Sequence, residues 1–334
     1  MSEVGGNSSS GMVGGSEVGG MSTPGGAEIS GASASASAEV GSSKGGAETA
    51  PHGAENILSG HEIAIAPHET TTVRNQILKM PETTELERAQ AQIEAVHETT
   101  IRHVLEKEGN FISAQDRARI EAGLTKIEAV EGNNNSKTTG GYHYDNNSSS
   151  IYVYSLNEAQ RERTTIHETK HFTSHNREII IPMPDKGGYK VCNTIGTRQA
   201  SYFHSTETGE NSDYTECGRG LNEGLTTMYT NRYLTELSPE KGKVAEQQQI
   251  YGHATDLAIE LENIMGKDTL KEAYYGGDIQ KLESMVNSLA GEKEFAHLRE
   301  CFDRVISDNY TERVAAMREA QEILAKTAER KNEV

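Results

Sequence analysis

The sequence contains no tryptophan, five phenylalanines and only 34% hydrophobic residues. Large apolar side chains supply most of the burial that stabilises a core, so a uniformly packed globule over all 334 residues is excluded, and part of the chain is expected to stay unfolded. Cysteine is equally sparse. Cys192, Cys217 and Cys301 are odd in number and far apart, without a CxxC pair, which rules out a disulfide framework and a thiolate zinc site. No apolar stretch approaches the ~18 residues of a membrane span. Positive charge is in deficit, with 32 Lys plus Arg against 50 Asp plus Glu and a net charge of −18. A surface of that sign repels a phosphate backbone, and no local basic patch offsets it, so nucleic-acid binding is not expected. The N-terminus, MSEVGGNSSSGMVGG, lacks a basic n-region and an apolar h-region. Without a classical secretory signal a cytoplasmic location is expected, with export by another route left open.

What the chain does contain is unevenly distributed. The first fifty residues hold 13 Gly and 12 Ser and neither Leu nor an aromatic residue. Such a segment cannot bury enough apolar area to offset its backbone entropy, so residues 1–56 read as a disordered arm, suited alike to a linker, a solubilising tail or an export signal. From Ile57 the composition turns globular, and residues 57–330 read as one helix-rich α+β domain. Within 82–108, Leu86, Ala89, Ile93, Val96, Ile101, Val104 and Leu105 recur at helical intervals after Pro81. A second helix is expected over Arg117–Val130, and a short strand over Ser150–Ser155, whose polar approach suggests an exposed edge. Further helices are expected over Glu158–His175 and Leu221–Leu237 and through most of 244–330, with Tyr275-Gly276-Gly277 closing one of them. The Gly-, Pro- and Asn-rich stretch 176–220 reads as irregular. A cleft between about 57–175 and 176–330 is the expected place for a site.

The chemistry is carried by His167-Glu168-Thr169-Lys170-His171. On a helix, positions i and i+4 share a face, so both imidazoles can reach one ion. Neutral His nitrogens at ~2.0–2.1 Å suit Zn²⁺. Glu168, rotated ~100° from His167, can take a proton from the metal's water without itself binding the metal. Three other His-Glu pairs, at His61, His68 and His97, lack a histidine four residues on and read as surface polar groups. His175 extends the stripe but lies ~12 Å along the helix from His167, too far to share an ion.

Downstream, Gly220-Leu221-Asn222-Glu223-Gly224-Leu225-Thr226-Thr227 opens a helix. Together the two elements resemble the gluzincin zinc metallopeptidases, in which an HExxH helix is followed by a second helix bearing a glutamate ligand. The Leu-Asn-Glu-Gly segment is similar to that of the membrane-alanyl and glycyl aminopeptidases. The resemblance covers roughly residues 150–235. It implies a zincin-like fold, His167, His171 and Glu223 as zinc ligands, Glu168 as general base, and a peptide or protein substrate. Departures from the usual pattern are the charged Lys170 inside the motif, Thr173 in place of an apolar residue, a longer spacing to the glutamate, and no Gly-rich exopeptidase motif. His204, Glu207, Glu210, Asp213 and Glu216 compete with Glu223 for the third position.

An oxyanion-stabilising donor is also expected, with Tyr214, Tyr229, Tyr233, Tyr251 and His204 as candidates and Tyr214 preferred because it immediately precedes the third-ligand helix. Asn222 and Thr227 are candidates to support the ligand imidazoles. The expected function is therefore zinc-dependent hydrolysis of peptide bonds by an endopeptidase. An inactive zinc-holding module that grips a peptide, or a metal-free helical interaction protein, would show the same pattern.

Overall fold

The computed structural model describes residues 84–123, 125–130, 139–145, 148–154, 157–247 and 251–333. The arm expected over 1–56, and the start of the globular region at 57, lie outside them. The described chain is α+β, mostly helical with two small sheets.

Helix α1 (Glu85–Glu108) begins at a capping box rather than at Pro81: the Thr84 hydroxyl accepts from Glu87 N–H (3.2 Å), and the Glu87 carboxylate accepts from Thr84 N–H (2.8 Å). It buries Ala89, Ile93 and Val104 on one stripe. Helix α2 (Ala114–Glu121) ends at Gly123, whose φ of +61° no β-branched residue would adopt. The second half of the helix expected over Arg117–Val130 is instead strand β1 (Thr125–Val130), which alternates half-buried and exposed residues at period two. It joins β2 (Gly140–Asp145) and β3 (Ser148–Tyr154) in a sheet of order β1-β3-β2, with β1 parallel and β2 antiparallel to β3. The strand expected at an exposed edge is thus the central one. Ile151 and Val153 face the core, and the edge beside the next helix belongs to β2.

Helix α3 (Glu158–Thr173) carries the HExxH residues. The chain then forms β4 (Asn176–Met183), β5 (Gly188–Ile195), β6 (Arg198–Ser205) and β7 (Asn211–Cys217), a four-stranded antiparallel meander where irregular structure was expected. Its composition misleads because both faces are wet. Within these strands only Asn176 and Val191 are buried, while the consecutive Ile179, Ile180 and Ile181 are 41%, 50% and 46% exposed. With no single buried face there is no alternation to read.

Helix α4 (Arg219–Leu237) returns to the core and is buried almost throughout its first three turns. Helices α5 (Pro239–Gln247), α6 (Gly252–Met265), α7 (Lys267–Tyr275), α8 (Ile279–Ala290), α9 (Glu294–Val305) and α10 (Tyr310–Glu333) complete the chain. The apolar stripes of α6–α10 meet α4 in one core that includes Leu221, Leu225, Leu257, Leu261, Tyr274, Phe302 and Leu324, while Ala245 of α5 packs with Ile166, Tyr233 and Leu234 in a smaller cluster. Gly277 supplies the expected positive φ (+76°) after α7, and Asp278 caps α8. The C-terminal helix packs on the domain, with Ile323 and Leu324 buried and Val314 left exposed. Among the described residues no helix is long and apolar enough to cross a membrane.

Candidate metal centre

Helix α3 is an unusual element, polar in sequence yet almost fully enclosed. From Thr164 to Thr173 every residue except the half-buried His167 is buried. The threonines tolerate this because their hydroxyls return to the helix's own carbonyls: Thr165 donates to Arg161 O (2.7 Å) and Thr173 to Thr169 O (3.0 Å). At the C-terminal end, Arg119 donates to the carbonyls of Phe172 (2.7 Å) and Ser174 (3.0 Å). Asn176 Nδ2 donates to those of His171 (3.1 Å), Phe172 (3.3 Å) and Ser174 (2.9 Å). Carbonyls that a helix end leaves without partners are thereby satisfied, which fixes the turn that carries His171. Arg119 is itself held by buried Asp116 (3.1 Å), which also accepts from His175 Nδ1 (2.8 Å). His175 is thus a support beyond the helix end and not a ligand.

Two glycines let the elements around the site approach closely, one between β2 and α3 and one between α4 and α6. A Cβ on Gly140 would sit 2.5 Å from Thr164 Cγ2, so only glycine lets the edge strand β2 lie this near the helix. A Cβ on Gly224 would sit 2.5 Å from the Ala254 carbonyl oxygen, so the glycine after Glu223 permits close contact between the backbones of α4 and α6. The meander spans the gap between α3 and α4 and is pinned to both ends. Gly196 N–H donates to His175 O (2.6 Å), and Thr197 N–H donates to Asn222 Oδ1 (3.1 Å).

The result brings together residues 56 positions apart. His167 Nε2 lies 3.1 Å from Glu223 Oε2, His171 Nε2 lies 3.2 Å from His167 Nε2, and His171 Nε2 lies 3.4 Å from Glu223 Oε2. The edge of a tetrahedron is ~1.6 times its centre-to-corner distance, so zinc bonds of ~2.0–2.1 Å require donors ~3.3–3.4 Å apart. The observed triangle comes close to that size, with one edge matching at 3.4 Å and two slightly short at 3.1 and 3.2 Å, and its donor set of two imidazoles and one carboxylate is one that zinc accepts. Among the alternatives to Glu223, His204 stacks on Tyr189 and bonds Asn211 (2.8 Å), and Glu216 pairs with Arg198. Neither Glu207, Glu210 nor Asp213 joins the cluster.

The two glutamates are driven apart in acidity. Burial alone would raise Glu223, but the charge of His171, hydrogen bonds from both imidazoles and the charge of His167 together hold it well below the usual carboxylate range. Glu168 is pushed up to about 7 by burial, with Glu223 adding to the rise and His167 opposing it. One carboxylate is therefore kept ionised, as a metal ligand would have to be, while its neighbour exchanges a proton near neutrality, a difference that acid–base chemistry can use.

Around the triad, Asn222 Nδ2 stands 3.1 Å from His171 Nδ1, but its Oδ1 is taken by Thr197 N–H, so it presents a donor there and not the acceptor that a ligand imidazole's Nδ1–H needs. The acceptor is Thr226, not Thr227. Its hydroxyl lies 3.3 Å from the same nitrogen and 2.7 Å from the Tyr274 hydroxyl, and it can accept Nδ1–H once Nε2 is committed to a metal. Two tyrosines flank the imidazoles: Tyr251 on His167 (ring centroids 6.2 Å, 24°) and Tyr142 on His171 (6.4 Å, 11°). Tyr142 escapes sequence reasoning because nothing in GGYHYD ties it to a motif 25 residues away.

Tyr214 is differently placed. It lies on β7, 59% exposed, with its hydroxyl accepting from Arg198 Nη2 (3.4 Å). Among the described residues it makes no contact with His167, His171 or Glu223. Tyr251, another of the sequence candidates, does. The charge of Glu223 and then burial push its phenol above the ordinary range, so it is an O–H donor at neutral pH.

Lys170 does not point outward. It is 2% exposed, its Nζ lies 5.4 Å from the Tyr233 ring centroid, and burial lowers it to about 8 against the pull of Glu108 and Glu236. His97 is no surface residue either, since its Nδ1 bonds Thr169 on the rear of α3 (2.8 Å). A second cluster, His297, Cys301 and Glu319, is poorly suited to a cation. Arg304 already engages Glu319 (2.7 Å), and burial with the Glu319 charge pushes the Cys301 thiol up to about 12. No family model, curated protein or solved structure matches this chain, so any functional reading rests on the site itself.

Proposed function

We propose that this chain is a zinc-dependent metallopeptidase of the gluzincin type, with His167, His171 and Glu223 as the metal ligands. The observation that carries the reading is the triangle of donor atoms with edges of 3.1, 3.2 and 3.4 Å, close to the size a tetrahedral zinc needs and drawn from two helices. A bound zinc supplies a Lewis acid that polarises the scissile carbonyl and lowers the pKa of water toward ~7.

The remaining work falls to side chains of this chain. Glu168 has the placement and the proton affinity to take a proton from the attacking water and return it to the leaving nitrogen. The Tyr251 hydroxyl, beside His167, takes the role of donor to the developing oxyanion in place of Tyr214. Strand β2 is the outer strand on the α3 side of its sheet, and among the described residues no strand pairs with its outer edge. An extended peptide added there would run past α3 held by main-chain hydrogen bonds.

The test uses the purified full chain, zinc analysis and a broad peptide mixture read by identification of new chain ends. Glu168→Gln is expected to keep its zinc and lose roughly 10³-fold or more in turnover. Undiminished chelator-sensitive turnover in Glu168→Gln contradicts the general-base assignment. Zinc without turnover in the wild type would favour the inactive binding module.

A further inference from the structure

Arg219 is the first residue of α4, one turn before Glu223. Residues i and i+4 share a helix face with Cβ atoms ~5–6 Å apart, and helical side chains lean toward the N-terminus. Both side chains therefore rise from one face in the same direction, the carboxylate toward the metal and the guanidinium a turn beyond it. The backbone at this point is clamped. Asp303 on α9 accepts the N–H groups of Gly218 (2.8 Å) and Gly220 (2.6 Å), one on each side of Arg219.

The arginines near α4 are otherwise committed. Arg198 pairs with Glu216, Arg232 with Glu262 and Arg304 with Glu319, while Arg299 donates to the carbonyls of Thr197 (3.0 Å) and Cys217 (3.3 Å). Arg219 is exposed, and among the described residues no carboxylate lies within ion-pair distance of it. The group it does influence is the Tyr251 hydroxyl, the same phenol that stacks beside His167. A rigidly based cation without a counter-charge, on the rim of a metal site in a chain of net charge −18, is an arrangement for receiving an anion.

The geometry points to Arg219 as the residue that reads a carboxylate of the substrate beside the scissile bond, which makes acidic peptides the substrate class. This rests on the metallopeptidase reading. A guanidinium offers a planar fork that a carboxylate matches with two hydrogen bonds, so it sets the register of the chain in the site as well as adding affinity. The carboxylate has two sources, a Glu or Asp side chain or the free C-terminus of a short peptide, and the chemistry is shared.

The experiment uses one set of decapeptides carrying Glu, Gln or Lys at each position in turn, each made with a free and an amidated C-terminus. Cleavage is followed in the wild type, in Arg219→Gln and in Arg219→Glu. Binding of the same peptides to the zinc-loaded Glu168→Gln chain, with and without Arg219→Gln, is followed by fluorescence anisotropy. The wild type is expected to favour the anionic peptide by about tenfold or more, mainly through KM. Arg219→Gln is expected to erase that preference and Arg219→Glu to turn it toward Lys, both with unchanged zinc content. A preference that survives amidation assigns a side-chain carboxylate, and one that disappears assigns the C-terminus. Equal cleavage and binding of Glu and Gln peptides by the wild type, or a preference untouched in Arg219→Gln, overturns the inference. Because anisotropy needs no turnover, a chain that binds acidic peptides through Arg219 yet cleaves none would count against the peptidase reading alone.

Discussion

Single residues at this site divide their tasks by environment more than by type. Glu168 and Glu223 are the same side chain at one site, yet burial lifts the first to about 7 while two imidazoles hold the second well below its usual range. The same logic separates the tyrosines. Tyr251 stands against His167, and Tyr214 is out on a wet strand bonded to Arg198. Tyr251→Phe is therefore expected to lower kcat by about 10²–10³-fold with zinc content unchanged, the loss typical of one oxyanion donor. Tyr214→Phe should leave the rate as it is. The two rate constants, measured on one peptide, check both assignments, and a larger loss in Tyr214→Phe reverses them. The two candidate histidine ligands are legible in the sequence because an i, i+4 spacing has a mechanical meaning on a helix, and Glu223 is legible only through the resemblance of its segment. The flanking tyrosines are not, because stacking across 6 Å between remote segments leaves no local pattern.

At the scale of elements, the site depends on how closely helices and strands approach. Gly224 follows Glu223 and lies against the Ala254 carbonyl, where an added Cβ would come within 2.5 Å. Gly224→Ala should force α6 away from α4, at a cost of about 1–3 kcal/mol in unfolding free energy. Tyr251, at the start of α6, would shift with it, so denaturant midpoint and kcat should fall together. A fall in stability with kcat intact would show that α6 does not position the tyrosine. Helices with an apolar stripe, such as α1 and α10, are readable in the sequence because one face meets the core. The meander β4–β7 is not. Its strands are exposed on both faces, its hairpins carry Gly, Pro and Asn, and its one apolar run, Ile179–Ile181, has no alternation. Strand β1 was mistaken for the tail of α2, since six residues hold too little periodicity to separate a strand from a helix.

For the whole molecule, the half-buried histidines of α1 set a limit on acid tolerance. Burial lowers His97 to about 4, and burial with the charges of Lys170 and Lys107 lowers His103 to about 4. In each case the unfolded chain, titrating near ~6.5, binds a proton that the folded chain refuses. Stability therefore rises with pH between about 4 and 6.5, is fully present above that window and is lost on acidification through it. His97 alone contributes about 3 kcal/mol to that change, and the more exposed His103 adds less. Urea midpoints at pH 4.5 and pH 7 should differ accordingly, and His97→Gln should flatten the slope. An unchanged slope would place the acid sensitivity elsewhere. The net charge of −18 acts in the opposite sense to the role proposed for Arg219, since it disfavours the approach of anions to the molecule as a whole.

The proposed centre needs three side chains from two helices to share one cation. The most direct measurement is the zinc content of the purified full chain after dialysis against a mild chelator, for the wild type and for His167→Ala, His171→Ala and Glu223→Ala. Stoichiometric zinc in the wild type and its loss in all three variants is the predicted result. A wild-type chain without zinc, or a Glu223→Ala chain that retains it fully, would contradict the central claim.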